Sequence, residues 1–408
     1  MFDVDGDDVR IKVALDVGTA KVRVVIGAVQ LNGDIQILGH GEAPSKGLRK
    51  GMVTNIEHTI NAIAAAKAEA ETNSEFEINT VSAIISGSQI TTYHSSGAIK
   101  IAGDSVTLND INEVMETATA LALPPNQEII HAFAKEYVID GQREIRDPLD
   151  LSGVRLEAHV YLLACEKTIT ANLTKCIEAL HINIDSLVLQ SISASAAVLS
   201  EEEKENGVCL VNIGAGTTDV AIFYKGALCY TSILPIAGET VTSDISKMQR
   251  ISTPLAETIK INYGACSQKS INIDEMVELP QANSVSKRLS RQALVQVIEA
   301  RYEEIFEMVQ IEIERSGCNH LLSSIVLTGG GSLISGLTDF AEEIFHLDAR
   351  IGIPSGIRGG SPILSRPEYA TALGLLLDIQ KDDYHGRKKI ESSLGLFGRI
   401  KNFSKKYF

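Results

Sequence analysis

The sequence lacks several features that define common classes of protein. Its six cysteines are scattered with no pair at CxxC spacing, which argues against a disulfide framework and against a cysteine metal site. No apolar run reaches the ~18 residues of a membrane-spanning helix, and the first residues are acidic, without the apolar stretch of a signal peptide. Positive charge is scarce, since the formal net charge is −15, which disfavours general nucleic-acid binding. We therefore expect a cytoplasmic protein with free thiols.

The charge is unevenly distributed along the chain. Residues 387–408 contain seven Lys or Arg and one Glu, a net charge of +6, which leaves −21 on the other 386 residues. The basic end is therefore expected to be a distinct piece. With 408 residues, of which 44% are hydrophobic, the chain has enough apolar material for two domains.

A glycine-rich break between two apolar runs is the most informative stretch. The run 208–211 is followed by Asn-Ile-Gly-Ala-Gly-Thr-Thr at 212–218 and by a second apolar run at 220–224. This pattern predicts a β-hairpin with a glycine turn. Glycines let a charged group approach the backbone, and turned-in N–H groups with threonine hydroxyls can hold phosphate oxygens. Taken alone, the stretch also fits an ordinary tight turn between core strands.

The stretch at residues 13–29 repeats this design. An apolar strand leads to Asp-Val-Gly-Thr, and a strand of alternating hydrophobicity follows. Aligning Asp16 with Asn212 places Gly18 on Gly214, so the two copies start 196 residues apart. Two such hairpins predict a duplicated α/β unit whose halves clamp one phosphate-bearing ligand.

A third glycine cluster lies at 323–345, where the pattern predicts a strand, the loop Gly-Gly-Gly-Ser at 329–332 and a helix. It is not a P-loop, because no Gly-Lys-Ser/Thr closes it, and it lacks the sixth-position glycine of a dinucleotide fingerprint. Such glycines let a flat ring lie against the backbone, although a βα turn of any doubly wound sheet has a similar pattern.

Two glycine hairpins followed by a strand, Gly-Gly-Gly-Ser and a helix, in this order, resemble the actin and Hsp70 ATPase superfamily. From about Lys12 to the last residue, the chain is similar to the FtsA family of bacterial cell-division proteins. The resemblance implies an α/β, actin-like fold of two lobes, each a copy of a ribonuclease-H-like unit. It also implies an inserted 1C-type subdomain and a C-terminal amphipathic helix.

The resemblance further implies a division into subdomains. The expected ranges are 1–82 with 164–203 and 368–380 for subdomain 1A, 83–163 for the inserted subdomain 1C, 204–240 with 316–367 for 2A, 241–315 for 2B, 381–393 for a flexible linker, and 394–408 for the amphipathic helix. By resemblance, 1C contacts other subunits and later division proteins. The residues of the insertion alone leave a purely structural role equally open.

Local patterns add three expectations. The insertion contains one amphipathic helix, which Thr107 can cap and which Pro124-Pro125 ends. Residues 267–292 are polar and strand-poor. The basic stretch at 45–51 resembles a basic loop of the family and is expected to be a solvated loop without chemistry.

The resemblance implies that ATP with Mg²⁺ binds between the lobes, with Asp16 holding the metal through water. The residues expected at the nucleotide are Gly18, Thr19 and Lys21 from the first hairpin, Gly214, Gly216, Thr217 and Thr218 from the second, Gly238, and, at the adenosine, Gly329, Gly330, Gly331 and Ser332. Asn212, expected to be a weak metal ligand, departs from the superfamily, which usually has Asp there. Asp219 is expected to stabilise the hairpin. Losing a carboxylate weakens Mg²⁺ binding and the activation of water, so we expect nucleotide binding with weak or absent hydrolysis.

Three polar residues each have two interpretations. Gln190 lies where a predicted strand meets a helix, a position that faces the ligand crevice, and it either caps the helix or, as in the superfamily, orients the attacking water. Glu257 and Lys260 are three residues apart and share a helix face. They form either a surface ion pair or, as the other motifs favour, the ribose contacts that the family pattern implies.

A long helix is predicted from 290 to 315, and Arg301 and Glu304 lie on its charged face. Such a face is normally just solvated. By resemblance, this helix belongs to 2B, where the family receives the C-terminal tail of FtsZ, and the two residues are candidates for that contact.

The last 15 residues have the pattern of a basic amphipathic helix, in which apolar residues recur at three- or four-residue steps. The residues expected at a membrane are Leu394, Phe397, Arg399, Ile400, Lys401, Phe403, Lys405, Lys406 and Tyr407. Each cation near an anionic leaflet contributes about 1 kcal/mol. The alternatives are a helix packed back on the core and a calmodulin-like target. The position also matches the membrane-targeting helix of the family.

Together these features predict an ATP-binding, self-assembling adaptor at the cytoplasmic face of the inner membrane, at the midcell division site. Its expected partners are the FtsZ C-terminal tail, further copies of itself, later division proteins and anionic lipids, with no nucleic acid. The alternative is a small-molecule kinase of the same superfamily, whose hairpins would look similar but which has no use for a basic tail. A chaperone-type ATPase would need a downstream peptide-binding domain.

Overall fold

The structure is a computed structural model that describes residues 9–30, 33–87, 89–272, 274–279, 287–359 and 361–384. Within these ranges, no helix combines the length and apolar character needed to cross a membrane. The amphipathic tail predicted for 394–408 lies outside the described residues.

The first part of the chain forms three long strands, a small hairpin, a helix and a further strand. These elements are β1 (Val9–Val17), β2 (Lys21–Gln30), β3 (Ile35–Pro44), β4 (Leu48–Arg49), β5 (Met52–Val53), α1 (Ile56–Ser74) and β6 (Thr80–Ile85). Asn55 caps α1, because its side chain accepts a 2.9 Å hydrogen bond from the backbone N–H of His58. The hairpin β4–β5 occupies the stretch that was expected to be a solvated loop.

A separate four-stranded sheet with one helix follows. Its elements are β7 (Ile90–Lys100), α2 (Leu108–Thr119), β8 (Gln127–Ile139), β9 (Gln142–Ile145) and β10 (Arg155–Glu166), and the strand order is β7-β10-β8-β9. Thr107 and Asp110 form a capping box at the start of α2. The helix ends at Thr119, before the proline pair expected to end it, and Leu121 beyond it is 37% exposed. The apolar face of α2, which includes the buried Val114 and Ala118, therefore ends where the helix ends.

The rest of the chain returns to the first sheet and then builds a second one. Its elements are α3 (Lys167–Glu178), β11 (Asn183–Leu189), α4 (Gln190–Val198), α5 (Glu201–Asn206), β12 (Val208–Ile213), β13 (Thr218–Tyr224), β14 (Ala227–Leu234), α6 (Gly238–Gln249), α7 (Thr253–Tyr263), β15 (Met276–Leu279), β16 (Lys287–Ser290), α8 (Arg291–Ser316), β17 (Ser324–Thr328), α9 (Leu337–Phe345), β18 (Asp348–Ile351) and α10 (Ala370–Tyr384).

Two expectations are corrected here. Residues 267–292 are not strand-poor, because β15 and β16 pair as an antiparallel ladder that buries Val277 and Leu289. These strands are only four residues long, which is too short for a reliable alternating pattern. The final helix, α10, extends to Tyr384, four residues into the segment predicted as a linker.

The two large sheets have the same topology, which confirms the predicted duplication. The orders are β11-β6-β1-β2-β3 and β18-β17-β12-β13-β14, each with an antiparallel three-stranded meander at one side and two parallel strands at the other. The turns also match. The N–H of Gly18 donates to the carbonyl of Lys21 at 3.1 Å, and the N–H of Gly214 donates to the carbonyl of Thr217 at 2.9 Å.

The main hydrophobic core lies between the two lobes and joins them. It contains residues of both sheets together with α4 and α10. These helices approach so closely that a Cβ on Gly374 would lie 1.7 Å from the carbonyl oxygen of Ser193. Strand β12 is buried throughout, as expected for a strand covered on both faces of an α/β sheet.

The inserted sheet contacts both lobes. On the side of the first lobe, the N–H of Leu189 on β11 donates to Nε2 of His131 on β8 at 3.0 Å. Further contacts are made with the second lobe. The N–H of Thr231 on β14 donates to the hydroxyl of Tyr161 on β10 at 3.2 Å, a buried contact. At the surface, Lys225 pairs with Glu144 at 3.0 Å, and Arg146 pairs with Glu205 at 2.7 Å. The insertion therefore contacts the second lobe through one buried hydrogen bond and two exposed ion pairs.

Candidate functional site

The turns of the two glycine hairpins meet between the lobes. A Cβ on Gly216 would lie 2.4 Å from Oγ1 of Thr19, so the second turn touches the first and admits no side chain at this position. The hydroxyl oxygens of Ser86 and Thr217 are 3.4 Å apart at the same junction. The structure thus brings Thr19, Gly216 and Thr217, all predicted to contact phosphate, to one place.

Two buried carboxyl groups lie beside these turns. Asp16 on β1 is 6% exposed, and burial raises its pKa to about 6, although the guanidinium of Arg23, 3.9 Å from the carboxylate, opposes the rise. Asp219 on β13 is fully buried, and burial raises its pKa to about 8. A hydrogen bond from Thr217 lowers that pKa, whereas the charge of Asp16 raises it further. Both carboxyls would be stabilised in their charged form by a nearby cation.

Two polar atoms at this junction have no partner within the described part of the chain. They are Nδ2 of Asn212 and Oδ1 of Asp219, and both are buried. Asn212 and Asp219 are directly opposite each other in the β12–β13 ladder, so the two unpaired atoms are on neighbouring residues. A buried polar group left unpaired costs about 1–3 kcal/mol. An amide N–H₂ can donate to a phosphate oxygen and a carboxylate can accept from metal-bound water, so these atoms fit a phosphate ligand with a hydrated cation.

Mg²⁺ at this junction would depend on ligands from outside the protein. Among the described residues, no three or more His, Cys, Asp or Glu side chains are grouped as a metal site. Mg²⁺ commonly takes one or two carboxylates and completes its shell with phosphate oxygens and water. Asp16 and Asp219 are the carboxylates available for that role.

The Gly-Gly-Gly-Ser loop packs against the second hairpin. Gly329 has a φ of +82°, and a Cβ there would lie 2.4 Å from Oδ1 of Asn212. A Cβ on Gly331 would lie 2.4 Å from Cγ2 of Ile213. Side chains are therefore excluded on this side of the loop by the second hairpin itself, and the approach of a flat ring to these glycines stays a prediction.

The remaining residues of the loop have separate roles. Gly330 is exposed, and the nearest atom to a Cβ there would be 3.8 Å away, so it forms the open face. The hydroxyl of Ser332 donates to the carbonyl of Gly329 at 2.7 Å and closes a 3₁₀ turn. Helix α9 starts only at Leu337, so it does not follow the loop directly as expected.

Lys260 anchors a polar cluster beside the second hairpin. Its ammonium lies 2.7 Å from Glu257 and donates to Thr242 at 2.8 Å and to the carbonyl of Gly238 at 3.1 Å. The side chain of Lys260 is 13% exposed and that of Glu257 is 44% exposed, so only the lysine end of the pair is shielded from solvent, and the ribose contact stays a prediction. The N–H of Gly238 donates to the carbonyl of Gly214 at 3.1 Å, which ties the cluster to the glycine turn.

Three predicted residues have specific partners in the structure. Gln190 is the first residue of α4, and its Nε2 lies 4.0 Å from a Cβ on Gly214. Lys21 pairs with Glu42. The hydroxyl of Thr218 is buried and donates to the carbonyl of Ile236 at 2.7 Å. Gln190 is therefore next to the turn, whereas the side chains of Lys21 and Thr218 are engaged elsewhere.

Sequence reasoning missed two contributors to this junction. Thr242 was given no role, although it bonds to Lys260. The turn of β4–β5 was expected to be solvated, although the N–H of Gly51 donates to Oγ1 of Thr19 at 3.1 Å. The available signal was the Lys-Gly pair at positions 50 and 51, but its flanking strands are two residues each and show no period.

A shallow groove of about 450 Å³ lies between α6 and α8 and includes both residues predicted to contact FtsZ. Its lining residues are Asp244, Lys247, Met248, Val297, Ala300, Arg301 and Glu304. Arg301 donates to Asp244 at 2.6 Å and pairs with Glu304. Met248 is 66% exposed. The groove is therefore lined by apolar side chains and by charges of both signs.

Family models match two parts of this chain. The model described as "Cell division protein FtsA" matches residues 209–374, and the model described as "SHS2 domain inserted in FTSA" matches residues 87–164. The second match covers the strands and helix of the inserted sheet.

Whole-chain relatives are also found. The cell division protein FtsA of Pseudomonas aeruginosa is 42% identical over 367 residues, covering 90% of this chain and 88% of the relative. The FtsA of Neisseria meningitidis is 41% identical and covers 93% of this chain and 91% of the relative. The FtsA of Escherichia coli K12 is 35% identical, with 95% and 94% covered.

Solved structures share the fold at low identity. A PilM–PilN type IV pilus biogenesis complex matches with a TM-score of 0.64 at 16% identity, covering 90% of this chain and 98% of that chain. MreB5 of Spiroplasma citri bound to ADP matches with a TM-score of 0.55 at 14% identity, covering 92% and 99%. These likenesses concern the fold alone.

Proposed function

This chain belongs to the FtsA family of cell division proteins, and from that premise we propose that it binds ATP with Mg²⁺ between its lobes and links FtsZ filaments to the membrane. It is an actin-like cell-division protein with an inserted SHS2 domain. The observation that carries the nucleotide part of the proposal is the junction of the two hairpins. Duplicated glycine turns, two buried carboxyls and an unpaired buried amide meet there.

The residues at the junction have distinct tasks in this proposal. Thr19 accepts a hydrogen bond from Gly51 and keeps its own hydroxyl proton for a phosphate oxygen. Asn212 donates from Nδ2, which has no partner within the described ranges. Asp16 and Asp219 accept from water on the metal, and Mg²⁺, when bound, neutralises phosphate charge. Both unsatisfied buried atoms thereby gain partners.

The adenosine half is assigned to two neighbouring elements. The open face at Gly330 suits a flat ring, since no side chain projects from it. Glu257 and Lys260 are proposed to contact the ribose, and Lys260 is held in place by Thr242 and by the carbonyl of Gly238. The second hairpin therefore connects the phosphate and the ribose sides.

We propose that turnover is slow or absent. Gln190 lies beside the turn at Gly214 and can orient a water molecule. However, Asn212 is neutral where the superfamily usually has a carboxylate, which weakens the metal shell and the activation of that water. The nucleotide then acts mainly as a structural ligand that holds the lobes together.

The groove between α6 and α8 is proposed to receive the C-terminal tail of FtsZ. Its lining includes the exposed Met248 together with the charged Arg301 and Glu304. A short peptide with both apolar and charged residues fits such a surface. Met248 can contribute through its flexible, polarizable side chain.

The remaining parts of the proposal concern assembly and the membrane. The predicted amphipathic helix at 394–408 is proposed to anchor the chain to anionic lipids on the cytoplasmic face of the inner membrane, at the midcell division site. The subdomain ranges are proposed as predicted, except that the first one extends with α10 to Tyr384 and the linker starts after it. The insertion, 83–163, is proposed to serve self-assembly and the recruitment of later division proteins.

Co-sedimentation with vesicles tests the proposal. Phosphatidylglycerol–phosphatidylethanolamine vesicles are mixed with FtsZ, ATP, Mg²⁺ and either the full chain, a chain ending at Tyr384, or the full chain with Met248→Glu. We expect the full chain to pellet and to bring FtsZ with it. The chain ending at Tyr384 should stay in the supernatant, and Met248→Glu should pellet without FtsZ.

Ile261→Glu is the matched control for Met248→Glu. Ile261 is 69% exposed and lies outside the groove, so this variant should pellet with FtsZ as the original chain does. Equal pelleting of the chain ending at Tyr384 would contradict the membrane role of the tail. Normal FtsZ recovery with Met248→Glu would contradict the role of the groove.

A further inference from the structure

The tip of the hairpin β4–β5 is a Lys-Gly pair, a pair that also forms the turn Lys225-Gly226 between β13 and β14. The hairpin β4–β5 is closed by a two-residue turn, Lys50-Gly51, whose φ angles are +51° and +75°. Positive φ at both positions is the mark of a type I′ turn, for which Asn-Gly is the preferred pair. A lysine there has no short polar side chain to bond locally.

The tip lies where the two glycine hairpins meet. The N–H of Gly51 donates to Oγ1 of Thr19 on the first hairpin. The Cα of Lys50 lies 3.0 Å from a Cβ on Gly216 of the second hairpin. A Cβ on Gly51 would lie 2.7 Å from Oγ of Ser86, which is itself next to Thr217. One short turn therefore contacts both halves of the duplicated site.

The hairpin β4–β5 has two neighbouring cationic residues, Arg49 and Lys50. Arg49 lowers the pKa of Glu239 at the start of α6, although burial and the charge of Glu257 raise it overall. Lys50 is exposed and makes no ion pair within the described part of the chain. An uncompensated cation thus sits beside the turns proposed to hold phosphate.

We propose that Lys50 is a phosphate-binding residue whose ammonium group contacts the terminal phosphate of the bound nucleotide. This inference rests on the proposed nucleotide function and adds to it a basis for distinguishing a triphosphate from a diphosphate. The tip contacts the two hairpins, whereas the adenosine is assigned to the Gly329–Ser332 side. Lys50 therefore lies at the end of the phosphate chain that is farthest from the base. Charge-assisted contacts to phosphate are among the strongest hydrogen bonds available.

Lys50→Asn separates charge from turn geometry. Asn-Gly is the favoured pair for this turn, so the variant should fold at least as stably as the original chain. We expect its affinity for ATP with Mg²⁺ to fall about ten- to a hundredfold, with its affinity for ADP changed less than about threefold. Lys50→Arg should keep the preference for ATP. Titration calorimetry with each nucleotide and Mg²⁺, on the full chain, measures these changes.

Lys46→Asn is the control within the same basic stretch. Lys46 lines a different groove, beside His58 on α1, so its loss should leave both affinities unchanged. If Lys50→Asn keeps the original preference for ATP, or weakens ATP and ADP equally, the terminal-phosphate assignment is overturned while the nucleotide site stands. If the unaltered chain binds neither nucleotide, the proposed function fails, and the inference fails with it.

Discussion

Asp219 offers a direct test of the electrostatics at the hairpin junction. Its pKa is raised from an ordinary value of 3.8 to about 8, mainly by burial. A difference of this size between the unfolded and the folded chain corresponds to about 6 kcal/mol. Because the folded-state pKa is the higher one, this stability is fully present below pH 3.8 and is lost as the pH rises to about 8. Above that pH the contribution no longer changes.

Asp219→Asn removes this dependence while keeping the shape of the side chain. At pH 7 the buried carboxyl of the original chain must stay protonated at a cost of about 4 kcal/mol, a cost that the amide does not have. We therefore expect the variant to be more stable than the original by about 4 kcal/mol at pH 7, and equally stable near pH 4. In both proteins the unfolding free energy should still fall by a smaller amount as the pH rises to about 6, the pKa of Asp16.

Urea unfolding between pH 4 and pH 9, without nucleotide or Mg²⁺, is the assay. The quantity of interest is the difference in unfolding free energy between Asp219→Asn and the original chain at each pH. Asp104→Asn, at an exposed position, serves as the control and should follow the original chain. Parallel curves for Asp219→Asn and the original chain would refute the reasoning, because they would show that Asp219 is charged and satisfied in the folded protein.

Two further predictions concern the glycine loop and the insertion. Gly331→Val should abolish ATP binding in calorimetry, because its Cβ would lie 2.4 Å from Cγ2 of Ile213. Gly103→Val is the control and should bind ATP normally, since a Cβ there has nothing within 4 Å. If Gly331→Val still bound ATP, the loop would not be part of the nucleotide site. Thr107→Ala should destabilise the insertion by about 1 kcal/mol through loss of the capping box, seen as faster amide exchange in α2. Thr117→Ala on the same helix should have no such effect, and unchanged exchange in Thr107→Ala would show that the cap contributes little.

The elements that sequence could predict are those with local signals. The spacing of Asp16, Gly18, Asn212 and Gly214 indicated a duplication because each hairpin carries its own turn glycine. The two sheets confirmed it with identical strand orders. The cap at Thr107 was also local, since the hydroxyl and its partner are three residues apart.

The features that sequence could not predict depend on contacts between distant segments. The tip at Lys50 and Gly51 has no pattern of its own, and its contact with Gly216 arises only when the two lobes come together. The ladder β15–β16 escaped notice because its strands are short. The raised pKa of Asp219 follows mainly from complete burial and in part from the charge of Asp16, and no sequence pattern reports burial of that kind.

The attachment of the inserted sheet has a mechanical consequence. In sequence the insertion belongs to the first lobe, since it lies between β6 and α3. Its contacts through Tyr161, Glu144 and Arg146, however, are with the second lobe. The insertion therefore connects the two lobes. If one lobe rotates against the other, the insertion must either lose these contacts or move with the second lobe. A protein docked on the insertion would thus sense the angle between the lobes without touching the nucleotide.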